Sequence, residues 1–283
     1  MAEDSAFTVD ADWLQQRLGQ PGLTVVDGSW YLPSHKRDPR AEYETAHIPG
    51  ALFLDQDAIS DQQTDLPHML AAPKDFAQYV GAMGISADDM IVVYDGPGYF
   101  SAPRAWWMFR AMGVSQVFVL DGGLDRWIAE GRPVTVEPTK VAPCIFHADF
   151  DTSHVVKLDE MRRIVDSGSA QIADARPSGR FYGTEPEPRP GVRSGHMPGA
   201  HSVPITALSE NGELLSKPRL RALLEDAGLD LSKPIVTLCG SGITAAAINL
   251  ALETLDHSEN RLYDGSWTEW GRLADTPATT DDK

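Results

Sequence analysis

The chain of 283 residues contains much of its own sequence twice. Ala46-His47-Ile48-Pro49-Gly50-Ala51 recurs as Gly195-His196-Met197-Pro198-Gly199-Ala200. Ahead of each motif is a strand-like run ending in aspartate, Thr24-Val25-Val26-Asp27 and Gln171-Ile172-Ala173-Asp174. Behind them come Ile91 to Asp95 and Ile235 to Cys239. Leu120-Asp121-Gly122-Gly123 and Tyr263-Asp264-Gly265-Ser266 close the series, with Trp127 and Trp270 following. The offset between copies drifts only from about 149 to about 143 residues, so the unit is duplicated. Within each copy, short apolar runs alternate with amphipathic stretches such as 73–83 and 217–227. That rhythm belongs to βα units around a mainly parallel sheet flanked by helices. An α/β protein of two tandem domains is therefore expected, 1–140 and 151–283. The proline-rich stretch 133–150 has no helical period and holds the connection, with 141–150 as the linker.

The copies differ most at one loop. In the second, the Ile235–Leu238 run reads as a buried strand and Ile243–Leu255 as an apolar helix, with Cys239-Gly240-Ser241-Gly242 between them. Glycines there let several backbone N–H groups converge on one point, which the positive end of the helix dipole also faces. A cysteine held at that point is expected to ionise readily and act as a nucleophile. The first copy carries Asp95-Gly96-Pro97-Gly98-Tyr99-Phe100-Ser101-Ala102 in this place, one residue longer and without a nucleophile. Open α/β sheets bind ligands outside the carboxyl ends of their strands. The active site is thus expected in the second domain, near the domain boundary. His47 and His196 recur in both copies, so a role in the turn is expected of them rather than catalysis. Cys144 matches nothing in the repeat, and a structural role is expected.

Composition removes several function classes. A formal net charge of −17 argues against a nucleic-acid or anionic-membrane surface. Two cysteines support neither a disulfide framework nor a four-ligand zinc site, and no metal is expected. The acidic N-terminus MAEDSAFTVDADWLQQ does not read as a signal peptide, and no apolar run has the length of a membrane span. A reducing compartment, the cytoplasm, is the expected location. A cysteine-dependent phosphatase needs arginine six residues after the nucleophile, where this chain has Ala245. Gly240-x-Gly242-x-x-Ala245 matches a relaxed dinucleotide fingerprint, but too little chain follows to complete a nucleotide-binding sheet. A papain-like site fails at Gly242.

The loop Cys239-Gly240-Ser241-Gly242-Ile243-Thr244-Ala245 has two companions, Gly179-Arg180-Phe181 with Glu187-Pro188-Arg189-Pro190-Gly191, and Ser101 to Phe109. Together they resemble the two-domain rhodanese-type sulfurtransferases, roughly from Asp12 to Gly271. The resemblance implies two rhodanese-like domains, the first inactive. It implies that Cys239 takes sulfur from a donor as a persulfide and passes it to a thiol, such as thioredoxin, or to cyanide, with no cofactor. Loop residues Gly240, Gly242, Ile243, Thr244 and Ala245 would cradle that sulfur; the family's usual valine is Ile243 here. Arg180 and Arg189 match the family's substrate-gripping arginines, and a guanidinium fork suits carboxylate and keto oxygens. The resemblance further implies a proton relay of Asp57, His68 and Ser241. Thiosulfate-using members carry basic residues directly after the cysteine, where Gly240 and Ser241 stand here. A donor with one carboxylate, 3-mercaptopyruvate, is therefore expected, with pyruvate released. Thiosulfate is the alternative donor, and a non-catalytic binding module is a further alternative. Arg104 is expected to help build the domain interface.

Overall fold

The computed structural model describes residues 5–280 of the chain, so the outermost residues of the expected domain spans, 1–4 and 281–283, lie outside it. Two five-stranded sheets dominate it. The first contains β1 (Thr8–Val9), β2 (Leu23–Asp27), β3 (Ala51–Phe53), β4 (Met90–Tyr94) and β5 (Val117–Leu120), in the order β1-β5-β4-β2-β3. The second contains β6 (Val155–Val156), β7 (Gln171–Asp174) and β8 (Ala200–Ser202). After a small antiparallel hairpin, β9 (Ser209–Glu210) and β10 (Glu213–Leu214), it continues with β11 (Ile235–Leu238) and β12 (Asn260–Tyr263). Its order, β6-β12-β11-β7-β8, repeats the first sheet strand for strand, and every pairing in both sheets is parallel.

The central strands β4 and β11 are apolar without alternation because helices cover both of their faces. Val92, Val93, Ile235 and Leu238 are all buried. One core cluster lies on the outer face of each sheet, and a third is shared between the domains. The shared core is built around the helix Ala102–Ala111 of the first copy and the helix Ala245–Thr254 of the second. Both helices are buried almost throughout, so their apolar sequence has no polar face to lose. Ile243 and Thr244, expected to open the second helix, instead complete the preceding turn, and the helix begins at Ala245.

The connecting segment is a strap rather than a free linker. Phe146 is buried against Phe76 and Phe109, and Cys144 donates its backbone N–H to Gly81 O at 2.9 Å. The Cys144 thiol is exposed and lies 3.1 Å from Ile85 O. Both repeat histidines serve the turn, as their recurrence suggested. The His47 ring stacks on Tyr43 and the His196 ring on Phe181, and Nδ1 of each is bonded to that partner's carbonyl.

Each copy also sends an arm across the other. The hairpin of the second domain lies against the first, where Gly122 N–H donates to Gly212 O at 2.7 Å and Glu213 pairs with Arg126. The segment after β3, which carries Asp57 and His68, reaches the cysteine loop of the second domain. A pseudo-symmetric exchange therefore builds one site from both copies.

Candidate active site

Cys239 follows β11, the central strand of the second sheet, and is 2% exposed. The turn after it is held from behind. Trp267 N–H donates to Cys239 O at 2.9 Å, and Thr268 gives both N–H and hydroxyl to Gly240 O at 2.9 and 2.5 Å. Cys239 N–H donates to Ser266 Oγ at 3.3 Å. With the carbonyls engaged behind, no acceptor among the described residues takes a hydrogen bond from the backbone N–H of Gly240, Ser241, Gly242 or Ile243. These donors are available to an anion at the turn.

The two glycines serve different needs. Gly242 has φ +82°, and a Cβ there would also fall 3.0 Å from the Arg104 guanidinium. Gly240 has no unusual φ, yet a Cβ on it would lie 3.0 Å from Arg180 Nη2 and 3.6 Å from Arg189 Nη1. Both arginines therefore converge over the residue next to Cys239. Arg180 is tied to Glu187, and Arg189 Nη2 donates to Ser241 Oγ at 3.4 Å. Burial pulls the Arg189 guanidinium below its ordinary value, and the adjacent Cys239 opposes that.

Asp57, His68 and Ser241 also meet. His68 Nδ1 lies 2.8 Å from Ser241 Oγ, and Nε2 lies 2.9 Å from Asp57 Oδ1. The bond from His68 holds Asp57 below the usual carboxylate range. Burial keeps His68 below the usual imidazole value, against the opposing pull of Asp57. An ionised carboxylate can only accept, so we assign the His68 proton to Nε2; Nδ1 is then free to accept from the Ser241 hydroxyl. His68 itself has φ +60°, a conformation that costs a non-glycine residue free energy unless its surroundings enforce it. Arg104 supplies the enforcement. Its Nη2 donates to His68 O at 2.6 Å and to Asp264 Oδ1 at 2.8 Å, while Leu70 N–H donates to Asp264 Oδ2 at 2.6 Å.

Of the cradle residues, Ile243 and Ala245 are buried beneath the turn, and Thr244 is half-buried beside them. A cleft of about 310 Å³, lined by Asp57, His68, Arg189 and Arg272 among others, forms the mouth. Among the described residues no group of three or more His, Cys, Asp or Glu side chains is placed to hold a metal ion.

The motifs assigned no role to several further contributors. Trp30 Nε1 donates to Asp57 Oδ1 at 3.1 Å, and its ring lies edge-on to His68. Arg176, 1% exposed, bonds Asp174, Glu187 and Gly195 O and lies over the Trp267 ring. Ser266 has φ +51° where its counterpart Gly123 has φ +58°, and that strained backbone delivers Oγ to the cysteine amide. Comparing the two copies would have flagged two of these. Ser266 replaces Gly123, and Arg176 replaces Ser29, in otherwise matched positions.

A duplicated parallel sheet with one cysteine-bearing loop at the domain junction defines a tandem-domain α/β fold with a single site. The family model described as "Rhodanese-like domain" matches residues 10–130 and 157–273, and the chain belongs to that family. It is 43% identical over 274 residues to the 3-mercaptopyruvate sulfurtransferase of Escherichia coli (strain K12), covering 96% of this chain and 98% of the relative. It is 42% identical over 269 residues to the thiosulfate sulfurtransferase of Gallus gallus, covering 93% and 92%. The crystal structure of the 3-mercaptopyruvate sulfotransferase SseA from Escherichia coli superposes with TM-score 0.86 at 40% identity, covering 92% of this chain and 98% of that one. The chain is a sulfurtransferase of this family. No helix among the described residues is long and apolar enough to cross a membrane.

Proposed function

We propose that the protein moves sulfur from 3-mercaptopyruvate through a persulfide on Cys239 to a thiol acceptor such as thioredoxin, or to cyanide, releasing pyruvate. The observation that carries this reading is the convergence of Arg180 and Arg189 over Gly240, beside a buried Cys239 whose neighbour Ser241 is bonded to His68. The two guanidiniums hold the carboxylate and keto oxygens of the donor. The Cys239 thiolate attacks the donor sulfur, and the carbon–sulfur bond breaks with its electron pair going to carbon. The resulting enolate takes the proton that the donor thiol gives up, passed through Ser241 and His68 with Asp57 orienting the imidazole. Atoms balance as thiolate plus mercaptopyruvate giving persulfide plus pyruvate. Gly240, Gly242, Ile243, Thr244 and Ala245 form the cradle, whose backbone donors stabilise the persulfide anion.

We further infer that 1–140 and 151–283 act as the inactive and active units about the strap 141–150. A reducing compartment such as the cytoplasm would keep Cys239 usable. Treatment with mercaptopyruvate should add about 32 Da at Cys239. The Cys239→Ser variant should retain its fold and lose turnover, while Cys144→Ser stays near wild type. A dead Cys144 variant beside an active Cys239 variant would overturn the assignment. The rival donor is thiosulfate, named in the Gallus gallus relative. Faster turnover of thiosulfate than of mercaptopyruvate by the unmodified protein would put it in first place.

A further inference from the structure

The charges behind the arginine grip are matched in a line. Asp174 and Arg176 are both buried and joined by bonds of 3.1, 2.9 and 2.6 Å from the guanidinium to the carboxylate. Arg176 Nη1 donates to Glu187 Oε1 at 2.7 Å. Arg180 takes the rest of Glu187, through Nη2 to Oε2 and Nε to Oε1. The sequence Asp174–Arg176–Glu187–Arg180 thus holds two carboxylates and two guanidiniums, with no net charge. Arg189, which faces the same point over Gly240, has Ser241 Oγ as its hydrogen-bond partner rather than a carboxylate. Arg104 and Asp264, under Gly242, neutralise each other, and two further charged groups border the site. Asp57 stands on the far side of His68 with its side chain 69% exposed, and Arg272 is an exposed residue of the mouth. Water screens both of these more than it screens the buried line.

We propose that Glu187 sets the donor charge this site accepts. By cancelling Arg180 it leaves a two-arginine grip with one net positive charge, matched to a donor carrying a single carboxylate. A thiosulfate dianion brought beside the Cys239 thiolate would leave one charge unmatched in a largely desolvated place, which is costly. Arg180 keeps its geometric use, because hydrogen bonding to the donor does not require an uncompensated charge. Arg176 acts through Glu187, holding that carboxylate where it can be shared. The inference rests on the mercaptopyruvate reading above and adds the residue that enforces it.

The test uses the full chain and compares kcat/KM for mercaptopyruvate and thiosulfate, together with inhibition by pyruvate as a monoanion and thiosulfate as a dianion. Glu187→Gln keeps the shape and releases one positive charge. It should shift the preference toward thiosulfate by about tenfold to a hundredfold, the range for one charge-assisted contact. Glu187→Asp keeps the charge and shortens the reach, so it should weaken both donors and leave their ratio unchanged. Adding Arg180→Gln to Glu187→Gln restores the net charge of the grip and should bring the ratio back toward wild type, though both rates fall. Circular dichroism and the thermal midpoint establish that each variant is folded. If Glu187→Gln lowered both donors by the same factor, Glu187 would only hold Arg180 in place and the charge rule would be wrong. A wild type that prefers thiosulfate would instead overturn the donor reading, while the effect of Glu187→Gln on the ratio would still decide the charge rule.

Discussion

His68 shows how much of this site is set one residue at a time. Its ring carries a proton toward Asp57 and a lone pair toward Ser241, and its backbone is held in a left-handed conformation by Arg104. Protonation would place a second N–H on Nδ1, turned toward Ser241, and the relay would lose its acceptor. Because burial lowers the His68 value, the relay should survive to below the pH at which a free imidazole titrates, about 6.5. Asp57 opposes that lowering, so Asp57→Asn removes an upward pull. The acid limb of the kcat/KM profile should then move to lower pH, while the plateau falls because Asn can also donate and no longer fixes the tautomer. A limb that moved to higher pH would mean Asp57 does not act on His68 in this way. Gly240 is legible as a glycine in the sequence, but not its reason, which is the guanidinium 3.0 Å from where a Cβ would stand.

At the scale of elements, the two copies show what an armed and a disarmed loop require. Asp95 stands in the cysteine's place and is fully buried. Its carboxylate accepts from the backbone N–H groups of Gly98, Ser101 and Ala102 at 2.5, 2.5 and 2.8 Å, so the loop without a cysteine satisfies its donors with its own side chain. One strand earlier the contrast is electrostatic. Asp174 is neutralised by Arg176, whereas the matching Asp27 is followed by Gly28 and Ser29, accepts from Ser29 N–H at 2.9 Å, and has no cation paired with it among the described residues. Burial raises Asp27 to about 6. The folded chain therefore holds that proton more tightly than the unfolded one, and the contribution of Asp27 to stability falls as pH rises from about 4 toward 6. Asp27→Asn removes the penalty and should stabilise the protein above pH 6 by on the order of 1–3 kcal/mol, with little effect below pH 4. Denaturant midpoints at pH 4 and pH 7.5 measure this, and equal shifts at both would rule out the charge explanation.

The two halves of the molecule share their largest core, although each keeps a smaller one of its own. The helices Ala102–Ala111 and Ala245–Thr254 share a core that crosses the domain boundary, and Arg104 and Asp264 form a buried ion pair across it. An interface of this kind couples domains that could otherwise move separately. Calorimetry should show a single unfolding transition with matching calorimetric and van't Hoff enthalpies. Two resolved transitions would show that the shared core does not bind the halves into one cooperative unit. The arms reinforce the coupling: one brings His68 to the cysteine loop, and the other joins the first domain through Gly212 and Gly122.

Sequence alone determined the duplication, the two parallel sheets, the strand–loop–helix around Cys239 and the asymmetry between Cys239 and Asp95. These depend on local period and on glycine placement within a few residues, and a linear reading captures both. Recurrence in both copies also separated His47 and His196 from the chemistry. The positions of Asp57, His68, Arg180 and Arg189 came from resemblance, because nothing near them in the chain marks them. Their meeting point, the hold of Arg104 on His68, and the parts played by Trp30, Arg176, Glu187 and Ser266, were decided only by the tertiary structure; that Arg104 would help build the domain interface was already expected. His68 and Ser241 are separated by 173 residues and Arg104 and Asp264 by 160, yet each pair is hydrogen-bonded. A polar side chain buried in a shared interior must find its partner wherever the packing places one, and sequence distance carries no record of that.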